Sequence, residues 1–169
     1  MVILRKKIAG LSPSTLERFL LRARRMVRLH GTVNVLVTNS PELRALNSRF
    51  RGKDKPTDVL SFPAPILSPT HAKQVAGDLA ISADIARENA RRLGHPVAAE
   101  IKILVLHGIL HLAGFDHERD NGEMAREEIR LRQKLRLEAG LIERTQPLAP
   151  RSVLPQGQRE RSAGKRRSA

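Results

Sequence analysis

Between the chain-breaking Gly94-His95-Pro96 and Gly114 lies Val97 to Ala113, apolar nearly all round, with Lys102 as the charged exception beyond its first turn. A helix without a polar face cannot rest on a surface and has to be wrapped by other elements. Any fold open to this chain therefore places that helix at its centre. Its last turns begin the run His107-Gly-Ile-Leu-His111-Leu-Ala-Gly-Phe-Asp-His117. Histidines four apart share one helix face, since four residues advance about 400°. Gly114 offers the chain an exit, and His117 can fold back to meet the first two. Three neutral imidazoles converging this way fit a catalytic zinc-type site, with the fourth tetrahedral position left to water.

The same ligand layout occurs in the metzincin proteases, H-E-x-x-H-x-x-G-x-x-H, with one difference. Where those enzymes carry a general-base Glu, this chain has Gly108. Taken singly, each histidine reads as a hydrogen-bonded core residue; the joint spacing is what points to a metal. Zinc is the first expectation, although imidazole also suits iron, nickel and copper.

Around the central helix the sequence predicts a small sheet. Val2–Arg5 and the alternating, β-branched Thr32–Thr38 read as strands, as do Asp58–Phe62 and Gly77–Ser82. Ser12-Pro13 is an N-cap followed by proline at the first helical position, opening a helix to about Leu29. That helix sets Leu16, Phe19, Leu20 and Ala23 on one side and Arg18, Arg22 and Arg25 on the other, and reads as a basic surface helix. Ser40-Pro41-Glu42 caps a short helix to about Phe50, and Arg51–Thr57 forms a turn-rich loop. Residues 63–76, with three prolines, form another loop. Ser82 caps a helix over Ala83–Leu93, and Asn121 caps a charged helix to about Glu138, closed by Gly140. The order β-α-β-α-β-β-α-α-α gives an α+β fold: a mixed four-stranded sheet with about five helices in one domain, residues 1–144. From Thr145 the chain turns rich in Pro, Gln, Arg and Ser, and residues 145–169 read as a disordered basic tail.

The 169 residues contain no cysteine, which removes disulfides and thiolate metal ligands. The N-terminal apolar run is too short for a secretory signal, and no stretch approaches a membrane span. A cytoplasmic protein without membrane contact is the expectation. The net charge of +14 points to a polyanionic partner. Residues 145–169 hold six basic residues against one Glu, which leaves +9 for residues 1–144. With four Phe and neither Trp nor Tyr, a base-stacking platform of the RRM or OB kind is poorly supplied. Binding should lean on phosphates, with steep salt dependence.

Further residues give a resemblance. The run Leu46-Asn47-Ser-Arg-Phe50-Arg51-Gly-Lys53-Asp-Lys55-Pro56-Thr57-Asp58-Val-Leu-Ser-Phe62-Pro63, then Gly77-Asp78, then the His107–His117 motif, resembles the YbeY family over roughly residues 32–140. Members are bacterial endoribonucleases of ribosomal RNA maturation and ribosome quality control. The resemblance implies a single ion, zinc by preference, on His107, His111 and His117, and a catalytic role for Arg51. It implies action on single-stranded ribosomal RNA, including 3′-end processing of the small-subunit RNA, with the small subunit as partner and no small-molecule cofactor. It covers neither the first thirty residues nor the tail, and it leaves the oligomeric state open.

The residues support that chemistry. A divalent metal on three neutral histidines keeps its charge, activates water and polarises a phosphoryl oxygen. A guanidinium such as Arg51 neutralises the growing charge of a phosphorane bidentately. Lys53 and Lys55 can hold neighbouring phosphates or simply be solvated. Asp116 can orient a histidine or cap its own loop. Glu100, two turns before His107 on the same face, can serve as base or support a ligand, or merely favour the helix start. Asp78 stabilises the start of its strand, and His30, His71 and His95 read as surface residues. Two other functions share the motif: a metzincin-like metalloprotease, which Gly108 argues against, and an RNA-binding ribosome assembly factor with a structural metal.

Overall fold

The computed structural model describes residues 1–65 and 75–137; His71, Gly140 and the 145–169 tail lie outside them. Four strands, β1 (Val2–Leu4), β2 (Thr32–Thr38), β3 (Val59–Pro63) and β4 (Val75–Ser82), form one sheet in the order β1-β2-β4-β3. The pairs β1–β2 and β2–β4 are parallel, and β3 closes the edge antiparallel to β4, from Val59 opposite Ile81 to Pro63 opposite Gly77. Five helices accompany the sheet among the described residues: α1 (Pro13–Val27), α2 (Ser40–Arg51), α3 (Ala83–Leu93), α4 (Val97–Leu112) and α5 (Glu123–Leu135). The α+β class and the mixed four-stranded sheet are as the sequence predicts.

Side-chain alternation decides which layer lies on which face. Val33, Val35 and Val37 of β2, with Leu79 and Ile81 beside them on β4, are buried in the main core. Leu16, Leu20 and Ala23 of α1 and more than half of α4 pack into that core. On the other face Leu60 and Ala80 meet Leu43 and Leu46 of α2. Ile101, Ile103, Leu104, Leu106, Ile109 and Leu110 of α4 are fully buried. At about 1.5–3 kcal/mol for each such side chain, this helix can carry two polar imidazoles inward and stay put.

Gly108 sets how closely α4 approaches the sheet. A Cβ at this position would lie 2.6 Å from Leu79 Cδ2 and 3.2 Å from Ser61 Oγ, and Ser61 donates a hydrogen bond to the Gly108 carbonyl at 3.4 Å. The place of the metzincin carboxylate is therefore filled by the sheet itself.

Several local expectations need correction. Asn39, not Ser40, caps α2, its side chain accepting from the Glu42 N–H at 2.9 Å. That helix runs through Arg51 and ends at Gly52, whose φ of 66° suits glycine, so Arg51 is a helix-terminal residue and not a loop residue. Gly122, not Asn121, is the N-cap of α5, and the Asp120 carboxylate takes the Gly122 and Met124 N–H groups at 2.8 Å each. The helix stops at Leu135, with Arg136 left-handed after it, short of the expected Glu138. Strand β4 starts two residues before Gly77, inside the span expected to be loop. No single helix among the described residues is long and apolar enough to cross a membrane.

Candidate metal centre

Helix α4 ends at Leu112, and Gly114, with φ of 94°, reverses the chain so that Phe115 N–H returns to the Leu110 carbonyl. The reversal brings His117 back to the helix end. One ring nitrogen from each of His107, His111 and His117 lies within 4.8 Å of the other two. The ring centroids are 4.8, 5.4 and 5.1 Å apart for the pairs 107–111, 107–117 and 111–117. The expected histidine triad is assembled.

The hydrogen bonds fix which nitrogens face inward. His111 Nδ1 lies 3.0 Å from the Phe115 carbonyl, which only accepts, so Nδ1 bears the proton. His107 Nδ1 lies 3.0 Å from Glu128 Oε2 and donates to that carboxylate. In the neutral rings both Nε2 atoms are then lone-pair acceptors, and they face each other at 3.1 Å. Two lone pairs so placed repel unless a cation lies between them. Tetrahedral zinc with bonds of 2.0–2.1 Å separates its nitrogen ligands by about 3.3 Å, which this pair nearly matches. The donor set fits a divalent metal.

Electrostatics favour the neutral form of His111. Burial pushes the His111 pKa below its ordinary value, and the neighbouring His107 and His117 push the same way; the Phe115 carbonyl and Asp116 only partly oppose them. Burial alone would raise the Glu128 pKa, but hydrogen bonding and charge from His107, then Arg132, outweigh it and hold the carboxyl below its ordinary value. Arg132 pairs with Glu128 from the next turn of α5 and is itself buried. Helix α5 thus delivers an ionised carboxylate to the back of His107.

The profile of the family described as Endoribonuclease YbeY matches residues 6–136. A protein named Endoribonuclease YbeY from Koribacter versatilis (strain Ellin345) is 58% identical over 145 residues, covering 86% of this chain and 91% of that protein. One of the same name from Solibacter usitatus (strain Ellin6076) is 48% identical, covering 86% and 94%. A solution structure of a Thermotoga maritima protein aligns with a TM-score of 0.52 at 32% identity, over 80% of this chain and 89% of that one. This chain belongs to the YbeY family.

The other residues singled out with the YbeY motif fall into separate places. Arg51, Lys53 and Lys55 are exposed at the end of α2 and in the loop after it. Asn47, buried on α2, donates to the Lys55 carbonyl at 2.8 Å and fixes the shape of that loop. Next to Arg51, Phe50 meets Phe62 of β3 edge-on with centroids 5.4 Å apart. Ser61, the neighbour of Phe62, bonds to Gly108 beside His107. The corner bearing Arg51 is thus tied to α4 through two packed contacts, and among the described residues no hydrogen bond joins Arg51 to the histidines.

Asp116 caps its own turn, accepting from Glu118 N–H at 3.1 Å and pairing with Arg119 at 3.4 Å. It reaches His111 only through its charge, and the Phe115 carbonyl does the orienting. Glu100 does not reach the triad: fully buried, it lies 3.2 Å from His95 Nε2. The same pair corrects His95, which is a core residue at the α3–α4 corner and not a surface one. Asp78 accepts from Asn34 Nδ2 across the β2–β4 pair at 2.8 Å. His30 is exposed, as expected. Sequence reasoning missed Glu128, although a signal existed. Met124, Glu128, Leu131 and Leu135 recur at helical spacing on one face, so a carboxylate interrupts an otherwise apolar stripe.

Proposed function

We propose that this chain is a metal-dependent endoribonuclease that cuts single-stranded ribosomal RNA in the cytoplasm. In this reading it acts on the small ribosomal subunit, in 3′-end processing of its RNA and in ribosome quality control. The observation that carries the metal dependence is the pair of Nε2 atoms held face to face at 3.1 Å beside His117, with an acceptor behind each Nδ1. The names of the relatives supply the reaction type. Residues 1–144 are the catalytic unit, and the basic 145–169 segment lies outside it.

A zinc ion held by His107, His111 and His117 supplies Lewis acidity toward a phosphoryl oxygen and lowers the pKa of water. Glu128 and the Phe115 carbonyl hold both ring protons on Nδ1, away from the ligand side. Arg51 meets the phosphorane's equatorial oxygens and neutralises their growing charge. Lys53 and Lys55 hold flanking phosphates as point charges. Peptide hydrolysis finds no proton carrier at position 108, where the sheet leaves no room for a carboxylate. RNA needs less help, because its alkoxide leaves more readily than an amine and its 2′-hydroxyl is a built-in nucleophile.

The test is cleavage of a single-stranded ribosomal RNA fragment by the purified protein beside folded His111→Ala and Arg51→Ala variants. Cleavage by the unmutated protein alone is the expected result. Equal cleavage by all three would mark a contaminant, and RNA binding by all without cleavage would turn the reading toward an assembly factor.

A further inference from the structure

Helix α1 presents a row of cations that the proposed cleavage chemistry does not use. Arg18, Arg22 and Arg25 are exposed, within an arc of about 60° on a 3.6-residue helix, and opposite the buried Leu16, Leu20 and Ala23. The one acidic residue of this helix, Glu17, lies off that arc and approaches the N-terminal amine at 3.8 Å. Arg22 Nη2 donates to the Lys134 carbonyl at 3.1 Å, which joins the row to the end of α5, where Lys134 and Arg136 are exposed. Earlier on α5, Glu127 is taken up by Arg130.

The same helix connects this row to the histidines. Glu128 of α5 holds His107, and Lys134 follows six residues later, about 9 Å along the axis. Helix α5 therefore carries both the carboxylate behind His107 and, on its solvent side, the cations that continue the α1 row. The face carries arginine without an exposed aromatic ring beside it, since Phe19 packs against the core. Proteins that hold unpaired bases stack them on aromatic rings, whereas a straight row of guanidinium groups suits the backbone of a helical segment.

We propose that Arg18, Arg22 and Arg25, with Lys134 and Arg136, form a docking surface for the phosphate backbone of a base-paired RNA segment next to the single strand that is cut. The identity of the cut strand rests on the endoribonuclease reading; the docking does not. Docking of this kind supplies affinity and register and carries no base readout.

The experiment titrates full-length protein with a fluorescent RNA hairpin bearing a single-stranded 3′ extension, over a range of salt, beside the Arg18→Gln/Arg25→Gln variant. Both substituted side chains lie on the solvent side of α1, so the fold is kept. The slope of log affinity against log salt is expected to fall by about one for each arginine removed, about two in all. Cleavage of an unpaired oligonucleotide too short to reach α1 is expected to be unchanged. Equal slopes for variant and unmutated protein would overturn the docking surface while leaving the nuclease reading intact. Equal slopes on RNA with a difference on phosphatidylserine vesicles would overturn it in favour of a lipid surface. A shallower slope in a protein that cuts no RNA would support docking and refute the nuclease.

Discussion

His107 Nδ1 and Glu128 Oε2 are 3.0 Å apart, joined across twenty-one residues of chain. The carboxylate fixes the imidazole tautomer and raises its basicity as a ligand. Glu128→Gln keeps an acceptor but loses the charge, and it strips Arg132 of its ion partner. Zinc affinity is expected to fall about 10- to 100-fold, the usual effect of losing such a partner. Competition with a chromophoric chelator measures it; unchanged affinity would show that Glu128 serves only the fold.

Gly108→Ala sets helix propensity against packing. Propensity alone stabilises by about 1 kcal/mol. A Cβ 2.6 Å from Leu79 Cδ2 instead demands a shift in a filled core, with a cost of about 1–3 kcal/mol. The expected net effect is a lower denaturation midpoint, and a higher one would mean that Leu79 yields freely. Gly108→Glu is expected to destabilise further and to gain no peptidase activity.

Asp120 gives the stability a pH dependence of known sign. Hydrogen bonds from the backbone, that of Met124 foremost, hold its carboxyl below the ordinary pKa. A depressed folded-state pKa contributes stability that is present above the unfolded value, about 3.9, and is lost as pH falls through the folded one. Thermal midpoints of the unmutated protein and Asp120→Ala should therefore differ near neutral pH and converge in acid below that window. A gap that persists in acid would assign the effect to packing.

Arg51→Ala is expected to leave fold and zinc content unchanged, because its side chain is exposed. Single-turnover cleavage should fall about 10²- to 10³-fold, the usual loss for one donor aimed at developing charge. Arg51→Lys should recover only part of it, since a point charge cannot bind bidentately. Full activity in Arg51→Ala would remove it from the mechanism.

The contrast between His107 and Glu128 shows what sequence alone reveals. Spacing along one helix and a glycine exit are local, so the triad could be read directly from the chain. The Glu128 contact depends on how α5 docks on α4, and only the break in its apolar stripe hints at it. His95 misleads for a related reason: between Gly94 and Pro96 it looks like loop, yet the α3–α4 corner folds it onto the buried Glu100. The boundary errors around Arg51 and Asn121 are cap choices among adjacent polar residues, where hydrogen-bond geometry decides and composition does not. The strand order, with β4 between β2 and β3, follows from which apolar faces meet, and no local pattern encodes that.

The most direct test of a metal centre in RNA cleavage is to strip the protein with a chelator, dialyse it, and follow cleavage of a single-stranded ribosomal RNA fragment before and after zinc is returned. Activity is expected to disappear with the metal and to return with zinc in the unmutated protein but not in His117→Ala. Undiminished cleavage by metal-free protein would rule out a metal centre in the reaction.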